Sequence, residues 1–293
     1  MKILIAGGTG FIGRHLSEYL KGNGYHLTLL TRQYESKFDN YDAVITWDNL
    51  EKIENNFDVI INLCGYGISE KNWSDKIKLK LIDSRIIPTK KLITYIGDSS
   101  TKLINASAIG FYAFSDKQQT ETDFIKNQNT FSHEIMNKWE SIVTKSQIQN
   151  FQIIRFGVVL GNGGMIAKLL PSAKFGLGTI ISNGEQLISW IHVEDLCRII
   201  EMCINNQISP NIINATSPNA VSQKALITTL SKCLKRPRLL WLPAPVIKVM
   251  FGQMGEELLL SSQNIYPKFL IESRFKFKYP DIKSALQNII TSK

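Results

Sequence analysis

The sequence predicts a doubly wound α/β fold, a parallel sheet with helices covering both faces. Near-continuous apolar runs recur through the first two thirds of the chain, too unbroken for strands with one solvated face. Amphipathic stretches separate them. Directly after the first run, Gly7, Gly8, Gly10 and Gly13 fall within seven residues.

The elements follow in order. Lys2–Ala6 reads as the first strand, and a helix over Phe11–Gly22 opens out of the glycines. Further strands are expected at His26–Thr31, Asp58–Cys64, Lys102–Ser107 and Phe151–Leu160, with helices at Asp75–Ile96 and Thr130–Lys145. Within the second helix, "KIKLKLID" alternates polar and apolar residues, a pattern that by itself favours a half-exposed strand. Read as a helix, it puts Ile77, Leu81, Ser84 and Arg85 on one face, and Pro88 should kink or end it. After Leu160, "GNGGMIAKLLPSAKFGLGTIISNGEQ" is glycine-rich and predicts loops over a sheet edge. "VEDLCRIIEMCI" reads as a helix and "NIINATSP" as a strand and turn. "VSQKALITTLSKCLKR" has a serine cap and the apolar face Leu226, Leu230 and Leu234. "RPRLLWLPAPV" reads as a linker into a last segment, Val246–Ser292.

The 293 residues suit one large domain, or one with a small appendage, and 44% hydrophobic content supports a substantial core. No apolar run approaches the roughly 18 to 20 residues of a membrane span. Ile3–Ala6 is too short for a signal-peptide core, so a cytoplasmic protein with no membrane partner is expected. The four cysteines show neither CxxC spacing nor a histidine cluster, which predicts reduced thiols and no metal. The net charge of +9 is spread over scattered lysines. It predicts a solvated surface that attracts anionic ligands rather than a nucleic-acid partner.

The glycines fit G-x-G-x-x-G at Gly8, Gly10 and Gly13, and G-x-x-G-x-x-G at Gly7, Gly10 and Gly13. In such a loop one glycine makes a tight turn, one admits a pyrophosphate to the backbone, and one lets helix and strand pack closely. The helix that follows offers unpaired N–H groups to phosphates. A strand before and a helix after are the context that this motif requires. The second strand ends in Thr31-Arg32, where an NAD site carries Asp or Glu for the ribose 2′-hydroxyl. A guanidinium there grips a 2′-phosphate that a carboxylate would repel, so NADP is the expected cofactor.

"GGTGFIG", "NLCGYGISEKNWSDKIKLKLIDSRIIPTKKL", "SAIGFY", "RFGVVLGNGG", "SWIHVEDL" and "NATSPNAVSQKAL" together resemble the atypical extended short-chain dehydrogenase/reductases, the NAD(P)-dependent epimerase-family proteins. The ending, from "LPAPVIKVMFG" to "DIKSAL", resembles that branch's small C-terminal domain. The resemblance spans essentially the whole chain. It implies a Rossmann domain over residues 1–238, a small C-terminal domain over 239–293, and a helical Asp75–Ile96. It also implies dinucleotide contacts at Gly7, Gly10, Phe11, Ile12 and Gly13, at Thr31 and Arg32, at Leu63 and Cys64, and at Arg85 and Val159. Lys80 lies near Arg85 on the same helix. Leu63 and Val159 can equally be core residues, and Arg85 can equally pair with Asp83 or Glu70. For "SWIHVEDL" the resemblance implies anchoring, with Asp195 bracing, Trp190 packing and His192 structural.

Dehydrogenases of this superfamily use a serine, a tyrosine and a lysine four residues later, the lysine lowering the tyrosine's pKa. Aligning Glu140 with the acid that follows the lysine puts Ser132 at the tyrosine position and Met136 at the lysine position. Ser107, near the usual serine position, and Tyr112 are the remaining catalytic candidates. The expected function is that of an NADP-dependent oxidoreductase or nucleotide-sugar-epimerase-like enzyme acting on a small molecule. The alternative is a noncatalytic NADP(H)-binding sensor or regulatory protein.

Overall fold

Seven parallel strands form the central sheet: β1 (Lys2–Ala6), β2 (His26–Thr31), β3 (Ala43–Thr46), β4 (Val59–Asn62), β5 (Lys102–Ala108), β6 (Phe151–Phe156) and β7 (Ile212–Ala215). Their order is β7-β6-β5-β4-β1-β2-β3. The computed structural model describes residues 1–33, 38–123 and 129–291. The strand order reverses between β1 and β4, which opens a crevice at their C-terminal ends, the usual ligand site of such sheets.

Alternate residues of β1 serve opposite faces of the sheet. Ile3 and Ile5 join Leu16, Leu20 and Ile199 beneath α1 (Phe11–Gly22) and α5 (Val193–Ile204). Leu4 and Ala6 join Leu92, Ile96 and Val143 beneath α2 (Asp75–Ile96) and α3 (Phe131–Thr144). Burial on both faces is why these strands read as continuous apolar runs.

Asp75–Ile96 is the helix that the resemblance implies, against the alternation in "KIKLKLID", and three other sequence expectations need correction. Ser74 caps α2 by accepting the Ile77 N–H, and the helix runs through Pro88. Its buried stripe is Leu81, Arg85, Thr89, Leu92 and Ile96, so two polar members hide the helical period from any hydropathy reading. The run Phe151–Leu160 is two strands rather than one. Gly157 ends β6, and residues Val158–Gly161 pair instead with Trp190–His192. A Cβ on Gly157 would lie 2.9 Å from the Ser189 carbonyl oxygen. The glycine-rich stretch after Leu160 is not all loop, because α4 occupies Gly164–Lys174. Similarly, the expected linker contains a short strand, Leu240–Leu242, beside Thr179–Ile181.

Toward the C-terminus, α6 (Gln223–Cys233), α7 (Ala244–Gly255), α8 (Lys268–Glu272) and α9 (Ile282–Thr291) follow. Leu286 and Ile289 of α9 pack with Leu230 of α6, Ile166 and Leu170 of α4, and Trp190. The last segment therefore shares a core with α4 and α6.

Candidate dinucleotide site

The glycines divide by what a side chain would meet. Gly7 has φ +82°, and a Cβ there would sit 2.7 Å from the Leu63 backbone carbon. On Gly13 it would lie 2.5 Å from the Gly8 Cα. Both glycines are demanded by the protein's own packing. On Gly10, among the described residues and apart from its chain neighbours, the added carbon meets only the Gly7 carbonyl oxygen within 4 Å, at 3.3 Å. The space above Gly10 is free, as a cradle for pyrophosphate requires.

Gly10 is also the N-cap of α1, with no side chain capping that end, so the first-turn N–H groups are left for a ligand. Phe11 reaches away from this cradle. Cβ atoms on Gly161 and Gly163 would collide with its ring, so the "GNGG" turn is glycine-rich to receive Phe11. Ile12 packs on the core beneath α1.

Thr31 ends β2 opposite Thr46, and its hydroxyl accepts the Gln33 N–H at 3.4 Å. Arg32 is exposed. Its charge reaches the Cys64 thiol, which burial nevertheless pushes up to about 12. Leu63 donates its N–H to the Ala6 carbonyl at 2.9 Å and Cys64 donates to Asn62 Oδ1 at 3.1 Å. Thr31 and Arg32 thus stand at the C-terminal end of β2 and Leu63 and Cys64 at that of β4, on the two sides of β1. Val159 pairs with Ile191 and packs partly on the core.

Arg85 pairs with neither Asp83 nor Glu70; Glu70 is held by Lys168 at 3.2 Å. The Arg85 Nη1 donates to the carbonyls of Leu81 at 2.9 Å and Tyr66 at 3.2 Å. Its Nε is buried without a partner. Burial lowers the guanidinium pKa to about 10. The head group lies against Gly65, whose Cβ would come within 3.2 Å of it. Lys80 sits 4.0 Å from the centre of the Tyr66 ring. Among the described residues no carboxylate pairs with this buried cation, which leaves a local excess of positive charge against Gly65, the residue after Cys64. The residues present fit a dinucleotide phosphate ester.

The catalytic candidates are brought together, but by other side chains. Ser107 Oγ donates to Glu140 Oε1 at 2.6 Å. Arg155 grips the same carboxylate with Nε at 2.8 Å and Nη2 at 2.7 Å. Its Nη1 donates to the Tyr112 hydroxyl at 2.8 Å, which in turn donates to Asn214 Oδ1 at 2.8 Å. All five residues are buried. Burial raises the Tyr112 phenol to about 12 in spite of Arg155. Neither hydroxyl is free for a substrate oxygen. Glu140, Arg155 and Asn214 escaped sequence reasoning because their partnership is entirely tertiary.

Ser132 and Met136 are both buried. Glu257, from the segment following α7, accepts the N–H groups of Phe131 and Ser132 at 3.0 and 2.9 Å and the Ser132 hydroxyl at 2.7 Å. Gln253 donates to it at 2.8 Å. A carboxylate thus caps the N-terminus of α3.

"SWIHVEDL" anchors the last segment. Asp195, fully buried, accepts the backbone N–H groups of Lys278 at 2.8 Å and Tyr279 at 2.9 Å. His192 caps α5 through Nδ1, which accepts the Glu194 N–H at 3.2 Å, and burial lowers its pKa to about 4. Trp190 is fully buried. Among the described residues no cluster of His, Cys, Asp and Glu is arranged to hold a metal, and no helix is long and apolar enough to cross a membrane.

Residues 3–216 match the family model described as the NAD dependent epimerase/dehydratase family, and residues 242–289 match that of a domain of unknown function, DUF1731. The chain is 33% identical to the epimerase family protein SSP1921 of Staphylococcus saprophyticus, over 98% of each chain. It is 32% identical to the epimerase family protein YfhF of Bacillus subtilis, over 100% of this chain and 99% of that one. Among solved structures, the human epimerase family protein SDR39U1 with NADPH superposes with a TM-score of 0.90 at 26% identity, covering 100% of both chains. With its seven-stranded parallel sheet, its glycine cradle and these matches, the chain belongs to the NAD dependent epimerase/dehydratase family.

Proposed function

We propose that this chain binds NADP(H) at the β1–β4 crevice and is an oxidoreductase or epimerase-like enzyme whose proton chemistry does not use a tyrosine–lysine pair. The observation that carries the cofactor choice is that β2 ends in Thr31 followed by Arg32, rather than in Asp or Glu. The uncompensated Arg85 and the NADPH in the human relative's structure support the same reading. When bound, the nicotinamide supplies the hydride chemistry. The glycine loop fixes the pyrophosphate, and Arg32 and Arg85 supply positive charge.

NADPH should bind more tightly than NADH by about 1.5–3 kcal/mol, the worth of one charge-assisted contact. Arg32→Ala should erase most of that difference. Titration with both nucleotides decides the matter, and equal affinities for the parent protein would refute the preference.

A second reading is a noncatalytic NADP(H) sensor. It is favoured by the full engagement of Ser107 and Tyr112 with Glu140, Arg155 and Asn214. Single-turnover oxidation of NADPH across a panel of carbonyl compounds separates the two. On either reading, Ser132→Ala should leave cofactor affinity within a few-fold, because its hydroxyl serves Glu257. A turnover that fell by two orders of magnitude in that variant would restore Ser132 as a proton-transfer group.

A further inference from the structure

We infer that the ribbon formed by residues 175–177 and 238–242 docks on an anionic lipid surface. Phe175, Leu239 and Trp241 are 82%, 69% and 63% exposed, unusual for large apolar side chains so close together. The ribbon brings them onto one patch. Leu239 donates its N–H to the Gly176 carbonyl at 3.1 Å, Leu177 bridges to Arg238, and Trp241 lies opposite Ile180. The Trp241 indole N–H is satisfied by the Ser182 carbonyl at 2.6 Å, which leaves the ring without a polar requirement of its own.

The two chain segments that build this patch are basic, and the nearby Glu185 is paired with Lys224. From residue 202 to 255 the chain contains no Asp or Glu and six Lys or Arg, and from 141 to 184 it again contains no acid. Lys168, Lys224 and Lys248 pair with Glu70, Glu185 and Glu256. Among the described residues, Lys174, Lys235, Arg236 and Arg238 form no ion pair. Lys174 and Arg238 adjoin Phe175 and Leu239 in sequence, Lys235 and Arg236 lie just upstream of Arg238, and Gly176 abuts Pro237. Exposed aromatic and aliphatic side chains framed by free cations match the two requirements of an anionic bilayer interface, apolar insertion and attraction to headgroups. A second copy of the chain seated here would bring cations against cations. The expectation of no membrane partner rested on the lack of a spanning segment, and surface docking needs none.

The test is co-sedimentation of the full chain with vesicles of phosphatidylcholine alone and of phosphatidylcholine mixed equally with phosphatidylglycerol. Retention is expected on the mixed vesicles only, weakening as salt rises. The triple variant Lys235→Glu/Arg236→Glu/Arg238→Glu should reduce partitioning on the order of a hundredfold. Phe175→Ser should weaken it at every salt concentration, because the inserted ring is lost. An unchanged melting temperature and unchanged NADPH affinity in both variants would show that only the surface was altered. Equal retention on both vesicle types, no retention on either, or undiminished retention of the triple variant would overturn the inference. So would sedimentation-velocity evidence that Phe175→Ser dissociates a dimer while vesicles bind nothing, or binding to a single-stranded oligonucleotide in place of vesicles.

Discussion

Glu140→Ala is expected to lower the unfolding free energy by about 3–5 kcal/mol, the cost of stranding a buried charge by removing its partner. The loss concentrates at one atom group. Glu140 accepts from Arg155 twice and from Ser107 once, and both side chains of the ion pair are about 5% exposed or less. Without the carboxylate, the Arg155 guanidinium keeps the Tyr112 hydroxyl and its stacking over Phe111, 3.7 Å from the ring centre, but its charge is unanswered. Ser107 loses its acceptor as well. Replacing Glu140 and Arg155 together by apolar residues of similar volume should cost considerably less than Glu140→Ala alone. Urea denaturation of the variants measures both effects. A loss under about 1 kcal/mol for Glu140→Ala would mean that water reaches the pair.

Much of this network lies outside what a sequence can reveal. The positions of β1, β2 and α1 are legible because each has an unambiguous end, the glycines or Thr31-Arg32, whereas α2 is legible only through the family resemblance. The glycine loop is legible because its glycines are adjacent in the chain. Glu140 and Arg155 are 15 residues apart, on α3 and β6, and nothing local marks them as partners. Glu257 is harder still, because it reaches Ser132 across 125 positions. The texture of α4 misleads for a definite reason: its glycines accommodate the Phe11 ring rather than a loop. Polar residues in a buried stripe, Arg85 and Thr89 of α2, mislead in the opposite direction. Arg85 itself could be assigned to the cofactor region only by resemblance. Its lack of an acid partner is a fact of three dimensions.

Gly10→Val and Gly13→Val should separate ligand binding from folding. In Gly10→Val the side chain enters the free space above the loop, so the protein should fold with near-parental stability. Its dinucleotide affinity should fall on the order of a hundredfold or more, because the pyrophosphate can no longer approach the backbone. Gly13→Val should behave in the reverse order. Its Cβ would lie 2.5 Å from the Gly8 Cα and 2.6 Å from the Gly7 carbonyl oxygen. Backbone on both sides leaves no flexible group to yield, and overpacking of this kind should cost about 2–3 kcal/mol or more. Thermal melting with and without NADPH reads both quantities. A Gly10→Val protein with the parental ligand-induced shift would show that phosphates do not rest on this loop.

The seating of Phe11 in the Gly161–Gly164 turn has a mechanical consequence. That turn leads into α4, whose Lys168 holds the Ser69 carbonyl at 2.8 Å and Glu70 at 3.2 Å. Ser69 and Glu70 belong to the segment that leaves β4 through Leu63, the residue against which Gly7 is packed. The circuit starts at the glycine loop and returns to it, like a hoop closed by one clasp. Every link but one is made of tightly packed or backbone atoms. The clasp is Lys168, about half exposed like its partner Glu70, and a surface pair of this kind contributes only about 0–1 kcal/mol. A hoop opens at its clasp. On the proposed reading, a dinucleotide enters and leaves by undoing this solvated contact on the rim, while the packed glycine loop keeps its shape.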